Sequence, residues 1–89
     1  MLKIERSKVF KKDISKLNFS EKHYAKFIIY IGYLLEEKTL PQEAKEHNLT
    51  AQWNGYQELH ISGDLLLIYK IEDETLFLTR IGTHSQLFS

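Results

Sequence analysis

The fold is decided by one stretch, residues 53–81, which reads WNGYQELHISGDLLLIYKIEDETLFLTRI. Apolar and polar side chains alternate through much of it, a period of two that is typical of β-strands. Two short polar interruptions are expected to be three-residue hairpin turns, Ser62–Asp64 and Glu72–Glu74. The stretch therefore predicts an antiparallel meander of three strands, Trp53–Ile61, Leu65–Ile71 and Thr75–Ile81.

The residues before this stretch predict one strand and two helices. The predicted elements are a strand at Leu2–Ser7, a helix from Ser7 to Leu17 and a second helix from Ser20 to about Glu37. Leu40 and Pro41 end the helical region, because proline restricts the residue before it and cannot donate to a helix. Residues 41–52 are polar and predict a loop that can include one short turn, and His84 is expected in a short C-terminal tail after Gly82. The order predicts a single α+β domain, residues 1–89, with both helices on one face of a sheet.

The turn lengths also predict the register of the meander. With three residues in each turn, His60 pairs with Leu66, and Leu66 pairs with Arg80. Side chains alternate with period two, so His60 and Arg80 should share one face, and a turn shorter by one residue would break this arrangement. The opposite face should meet the helices, and its expected residues are Leu59, Ile61, Leu65, Leu67, Tyr69, Phe77 and Ile81.

Composition narrows the class of protein. The chain has 89 residues, of which 43% are hydrophobic and 27% charged, as in an ordinary globular domain. It has no cysteine, which excludes a disulfide framework, a thiol nucleophile and a thiolate metal site. No apolar run approaches the roughly 20 residues that span a bilayer, and the N-terminus lacks the pattern of a signal peptide. We therefore expect a cytoplasmic protein with no membrane partner.

The net charge of zero hides an uneven distribution. Residues 1–26 contain eight lysines and arginines against three acids, so the rest of the chain is acidic. Contact with nucleic-acid phosphates requires local positive charge, which this first third can supply. The alternative explanation is a helix with solvated lysines.

The last thirty residues concentrate side chains that suit phosphate chemistry. His60 and His84 can take or give a proton near neutral pH. Arg80 can hold a phosphate by two parallel hydrogen bonds, and Asp64 adds a carboxylate. Together these are the parts that RNA cleavage without a metal requires. Each has a simpler explanation: a salt bridge from Arg80 to Glu58 or Asp64, a turn role for Asp64, or a surface position for each histidine.

A zinc site is the other chemistry to consider. Three histidines can hold a catalytic zinc, and His47, His60 and His84 could be its ligands. Their separations of 13 and 24 residues match no compact ligand motif. The sequence therefore predicts neither a metal nor a cofactor.

Four segments, taken in order, resemble the YafQ branch of the RelE superfamily of bacterial toxins. These segments are KEHNL at 45–49, WNGY at 53–56, HISGDLLLIY at 60–69 and RIGTHSQLF at 80–88. The strand and two helices before them suit the family's fold. The resemblance implies a RelE-like microbial RNase fold, in which the meander completes a twisted sheet.

The resemblance also implies a function. Such toxins belong to type II toxin–antitoxin pairs, enter the ribosomal A site and cut the mRNA there as metal-independent endoribonucleases. The implied partners are the ribosome, mRNA and a DinJ-like antitoxin with a ribbon-helix-helix segment. That antitoxin silences the toxin and brings the complex to operator DNA.

The family's functional positions can be carried over onto this chain. They fall on His47, His60, Asp64, Arg80, His84 and Phe88. A base would take the proton of a 2′-hydroxyl, which attacks the adjacent phosphorus, while an acid protonates the departing 5′-oxygen. The hypothesis assigns the acid role to His84 and the base role to Asp64 or His60.

The remaining positions would bind and orient the RNA. Arg80 would neutralise charge on the phosphate oxygens, and His47 would hold the phosphate or help in proton transfer. Phe88 would stack on a base or position His84. The chain departs from the family pattern at Gln57, where an arginine is common, and at Gly63, where a proline is common. A weakened or inactive module that binds an antitoxin and co-represses its operon is therefore the alternative function.

Overall fold

The computed structural model describes residues 1–88, which form a single five-stranded sheet with helices against it. The strands are β1 (Lys3–Arg6), β2 (His47–Asn48), β3 (Gln57–His60), β4 (Leu65–Glu72) and β5 (Thr75–Thr83), and the helices are α1 (Lys8–Lys16), α2 (Glu21–Leu35) and α3 (His84–Phe88). The order across the sheet is β1-β5-β4-β3-β2. β1 lies parallel to β5, and all other neighbours are antiparallel. The predicted α+β class, helix pair and meander are confirmed.

Serine side chains start both long helices, as predicted. The Ser7 hydroxyl accepts a hydrogen bond from the Phe10 backbone N–H at 2.9 Å, and the Ser20 hydroxyl accepts one from the His23 backbone N–H at 3.1 Å. Such caps satisfy N–H groups that have no partner within the helix. None of the helices described in residues 1–88 is long and apolar enough to cross a membrane.

Two elements lie where a loop and a tail were predicted. Residues 41–52 contain the two-residue strand β2, which pairs with β3 at the edge of the sheet. Residues 51–53 form a short 3₁₀ turn, so β3 begins at Gln57 and not at Trp53. His84–Phe88 form α3, which follows β5 without a break. As a result, His47 lies on a strand, and His84 and Phe88 lie on a helix.

The second hairpin turn is one residue shorter than predicted. Glu72 pairs with Thr75, so only Asp73 and Glu74 form the turn. Both have left-handed backbone, with φ of 52° and 57°. Tight two-residue turns need this conformation, and they usually contain glycine or asparagine, which adopt it easily. The acidic pair gave no such signal, which is why the longer turn was predicted.

An extra residue in β5 offsets the shorter turn. Thr79 interrupts the ladder between β4 and β5, and Arg80 therefore pairs with Ile68, not with Leu66 as predicted. The shorter turn and the extra residue together shift the pairing by two positions. Every side chain after Thr79 therefore lies on the face that was predicted for it. His60 pairs with Leu66 as predicted. His60 and Arg80 therefore share one sheet face after all.

The larger core lies between the sheet and helices α1 and α2. Its buried sheet residues are Leu59, Ile61, Leu65, Leu67, Tyr69, Leu76, Leu78 and Ile81. Phe77 was predicted here, but it pairs with Lys70 and lies on the opposite face, because the shorter turn reverses that part of β5. Leu76 and Leu78 take its place in the core.

A smaller core lies on the other face of the sheet. Leu66 and Ile68 of β4 are buried there with Leu87 of α3. Trp53 and Tyr56, from the segment before β3, pack against them. This cluster ties α3 and the preceding loop to the face that carries His60.

Candidate active site

The candidate site is on the sheet face that lies opposite α1 and α2, which we call the site face and define by Glu58, His60, Ile68 and Arg80. Cross-strand pairing places Glu58, Ile68 and Arg80 in one row over three neighbouring strands. The adjacent row contains His60, Leu66 and Gly82. β2 extends the first row, because His47 pairs with Glu58.

Glu58 is the centre of this arrangement. Its side chain is charged and yet buried: Glu58 is 4% exposed, and no other charged residue among residues 1–88 is buried. Its Oε1 lies 3.2 Å from His47 Nε2 and 3.6 Å from His60 Nε2. Burying a carboxylate is costly unless polar partners surround it, and the two imidazoles are such partners. The structure thus joins His47 and His60 through a carboxylate that was not among the predicted site residues.

A signal for Glu58 existed in the sequence. It lies two positions before His60 on the same strand, so any register that turns His60 toward a site also turns Glu58 toward it. Its burial was the missing information. That burial comes from β2, which was predicted as loop and which places His47 over the carboxylate.

His47 is oriented by a second contact. Its Nδ1 lies 2.9 Å from the backbone oxygen of Lys45, while its Nε2 faces Glu58. Both ring nitrogens therefore face oxygen atoms, which fixes the orientation of the ring. The His47 and His60 rings are 6.2 Å apart between centroids.

His84, Asp64 and Phe88 form a second group at the start of α3. The Asp64 Oδ1 accepts a hydrogen bond from the His84 backbone N–H at 3.2 Å. The His84 and Phe88 rings, four residues apart on the helix, have centroids 4.9 Å apart. Asp64 and His84 are exposed, and Phe88 is 37% exposed. Asp64 therefore supports the backbone at His84, and the imidazole stays open to a ligand.

A capping box starts α3 and could have been found in the sequence. The Thr83 backbone N–H donates to the Gln86 side-chain oxygen at 2.8 Å, and the Gln86 backbone N–H donates to the Thr83 hydroxyl at 3.3 Å. The pattern Thr-x-x-Gln predicts such a reciprocal pair. It fixes the helix turn that carries His84.

Arg80 is turned toward α1 and away from the imidazoles. Its Nε donates to Asp13 Oδ2 at 2.9 Å, and its Nη2 donates to Asp13 Oδ1 at 2.8 Å. The suggested partners Glu58 and Asp64 are thus wrong, because a helix residue distant in sequence takes that place. Hydrogen bonding to Asp13 raises the pKa of Arg80, while burial acts in the opposite direction. The guanidinium edge that does not face Asp13 can still receive an anion.

The residues around Glu58 also fit a metal ion. Ligand atoms of His47, Glu58 and His60 all lie within 4.8 Å of one another. Two histidines and a glutamate are a common ligand set for catalytic zinc. The third member of this cluster is Glu58, not the His84 considered from the sequence.

Comparison with known proteins identifies the family. Residues 2–89 match the family described as the bacterial toxin of type II toxin-antitoxin system, YafQ. The chain belongs to the YafQ toxin family. The resemblance noted in the sequence, and the RelE-like fold that it implied, are confirmed.

Individual YafQ relatives match over nearly their whole length. The mRNA interferase toxin YafQ of Escherichia coli strain B / BL21-DE3 is 40% identical over 87 residues, which cover 96% of this chain and 94% of that one. The E. coli DinJ–YafQ complex contains a chain with a TM-score of 0.87 and 34% identity, covering 100% of both. A metal-bound toxin from Helicobacter pylori has a TM-score of 0.84 and 41% identity, covering 99% of this chain and 100% of that one.

Proposed function

We propose that this chain is the toxin of a type II toxin–antitoxin pair and acts as an mRNA interferase, an endoribonuclease that cuts translated messages. The observation that carries the proposal is the buried Glu58 carboxylate between His47 and His60, on the sheet face that also carries Arg80 and leads into His84. The YafQ relatives that are named mRNA interferases support the same activity. The solved DinJ–YafQ complexes support a DinJ-like antitoxin as the partner that silences it.

The proposed reaction requires one base and one acid. Glu58 or His60 takes the proton of a 2′-hydroxyl, whose oxygen then attacks the adjacent phosphorus. The bond from phosphorus to the 5′-oxygen breaks, His84 protonates that oxygen, and a 2′,3′-cyclic phosphate remains. Asp64, the other base considered from the sequence, is assigned to positioning His84, since its carboxylate accepts from the His84 backbone.

The other groups act on charge and orientation. Arg80 stabilises the negative charge that builds on the phosphate oxygens, with its guanidinium held in place by Asp13. His47, beside the Glu58 carboxylate, holds the phosphate or helps in proton transfer. Phe88 stacks on a base beside His84. The chain would do this in the cytoplasm, on mRNA in the ribosomal A site.

We further propose that the cleavage needs no metal. The reaction above is complete with proton transfers by side chains and one fixed cation. A divalent ion bound by His47, Glu58 and His60 would instead supply Lewis-acid polarisation of the phosphate. The H. pylori relative solved with bound metal makes this a point for direct measurement.

The test compares two histidine variants. The parent, His84→Ala and His23→Ala are each expressed from a tightly repressed promoter, and cuts in cellular mRNA are mapped. His23 lies on α2, far in sequence from the site, and is the matched control. Loss of one proton-transfer group should lower cleavage by about 10²- to 10⁴-fold, so His84→Ala should permit growth while His23→Ala arrests it.

Three results would contradict parts of the proposal. Undiminished killing by folded His84→Ala removes its assigned role. Arrest that survives joint replacement of His60, Asp64, Arg80 and His84 means that binding, not cleavage, stops growth. Cleavage by purified toxin on programmed ribosomes that is lost after chelation of transition metals, and restored by zinc or copper, contradicts metal independence. Co-expression of the cognate antitoxin should restore growth in every toxic case.

A further inference from the structure

A hollow lies on the site face and has no histidine in its lining. Its volume is about 500 Å³, and its lining includes Arg6 and Lys11 from the N-terminal third together with Tyr56, Lys70 and Phe77 from the sheet. None of these residues takes part in the proton transfers proposed above. Glu5 also lines the hollow, so the lining has three cations and one anion.

Lys70 and two aromatic rings form the floor of this hollow. The Lys70 Nζ lies 5.1 Å from the centroid of the Tyr56 ring and 5.4 Å from that of the Phe77 ring. It also lies 3.7 Å from the exposed carboxylate of Glu72. The Lys70 side chain is 28% exposed, and both rings are partly exposed. An incoming ligand can therefore reach the ammonium and the ring faces without rearranging the core.

The strand register places the hollow next to the candidate active site. Lys70 pairs with Phe77, and two residues earlier on the same strand Ile68 pairs with Arg80 and with Glu58. Two residues along a strand correspond to about 7 Å. Nucleotides stacked in one strand are about 3.4 Å apart. An RNA strand that passes the Arg80 row therefore reaches the hollow in about two nucleotides.

We propose that this hollow binds a nucleotide of single-stranded RNA that flanks the cleaved linkage. The proposal rests on the function proposed above and names where its substrate extends. A cationic surface with aromatic faces is the combination by which proteins hold single strands, since phosphates pair with the cations and bases stack on the rings. A base takes the place of the Lys70 ammonium over one ring, and the ammonium pairs with the neighbouring phosphate.

The test measures RNA affinity separately from cleavage. All proteins carry His84→Ala so that bound RNA stays intact, and the probe is a fluorescent single-stranded 12-mer at low and rising salt. Lys70→Ala should reduce the slope of log affinity against log salt by about 0.7, the value for one phosphate contact on a single strand. Phe77→Leu, which keeps apolar bulk, should weaken binding by roughly 5- to 150-fold through loss of stacking.

Matched controls lie on the helical side of the molecule. Lys38→Ala removes an exposed lysine after α2, and Tyr24→Ala removes a ring that is 53% exposed on α2. Both should bind the 12-mer as the parent does.

The outcomes separate the two proposals. Unchanged affinity and salt slope in both hollow variants overturns this inference, and so does a parent with no measurable affinity at low salt. If those variants bind RNA normally but lose affinity for the antitoxin, the hollow is a protein-binding surface and the inference is wrong. If RNA binding depends on Lys70 and Phe77 while the parent protein cuts no mRNA, the nuclease assignment fails and the hollow stands.

Discussion

Replacing Asp13 by alanine should destabilise this protein more than replacing any other charged residue of α1. The Asp13 carboxylate accepts from Arg80 Nε at 2.9 Å, from Arg80 Nη2 at 2.8 Å and from the Ile81 backbone N–H at 3.2 Å. β1 ends at Arg6, whose partner is Leu78, so the edge of β5 beyond that point has no strand beside it. Asp13 occupies that edge and satisfies both a backbone donor and a guanidinium.

The size of the effect follows from the burial of the pair. The side chains of Arg80 and Asp13 are 27% and 13% exposed, which is partial rather than full burial. A hydrogen bond to a charged group contributes roughly 1.5–3 kcal/mol, and breaking a fully buried pair costs about 3–5 kcal/mol. We therefore expect Asp13→Ala to lower the free energy of unfolding by about 2–3 kcal/mol. For a domain of this size, that lowers Tm by roughly 10–20 °C.

The assay is urea and thermal unfolding of a double-mutant cycle. Asp13→Ala, Arg80→Ala and the double variant are compared with the parent, and Lys12→Ala is the control because Lys12 is exposed on the same helix. The control should change stability by less than about 0.5 kcal/mol. A coupling energy near zero between the two sites, or a loss in Asp13→Ala no larger than in the control, would refute the assigned role of the pair.

Two further predictions concern the two cores. Tyr69 is fully buried and donates its hydroxyl to the Glu46 carboxylate, and burial with this bond raises the pKa of Tyr69 above its ordinary value of 10.0. The folded state thus holds the phenolic proton more tightly than the unfolded state does. The stability that this contributes is complete below pH 10 and is lost as the pH rises above it. Above about pH 10, the unfolding free energy should therefore decline less steeply in Tyr69→Phe than in the parent or in a Tyr24→Phe control. Leu87→Ala should release α3, so that hydrogen exchange at residues 84–88 accelerates and mRNA cleavage falls while the main unfolding transition moves little; protection equal to the parent at these amides would contradict this.

The sequence was sufficient for the elements that depend on local rules. Serine caps at Ser7 and Ser20 and the two-residue period of the meander act over a few residues, and the structure has them where they were predicted. The sequence was not sufficient to predict the strand register, because the turn at Asp73–Glu74 has no glycine or asparagine to indicate its type. Thr79, the bulged residue, is equally unmarked. The sheet face of Arg80 was nevertheless predicted correctly. The shorter turn and the bulge each shift the pairing by one residue, and a shift of two residues leaves a side chain on the same face.

The site was partly predictable for a different reason. Family positions pointed to the imidazoles, the guanidinium and Asp64, but not to Glu58 and Asp13, the carboxylates beside His47, His60 and Arg80. Glu58 becomes central only when β2 covers it, and Asp13 reaches Arg80 from 67 residues away. Contacts of that range depend on how α1 packs against β5, and no local pattern encodes them. The Thr83–Gln86 capping box is a local pattern and could have been predicted, but it was overlooked because this segment was predicted as a tail.

The two cores divide stability from activity. The larger one joins both long helices to the sheet and contains most of the buried residues, whereas the smaller one has Leu66, Ile68 and Leu87 as its buried members. Within residues 1–88, the smaller core is the one that includes a residue of α3, the helix that carries His84 and Phe88. Local opening of that helix costs far less than global unfolding, since few apolar contacts are lost. A smaller side chain at Leu87 should therefore lower cleavage in a protein that remains folded.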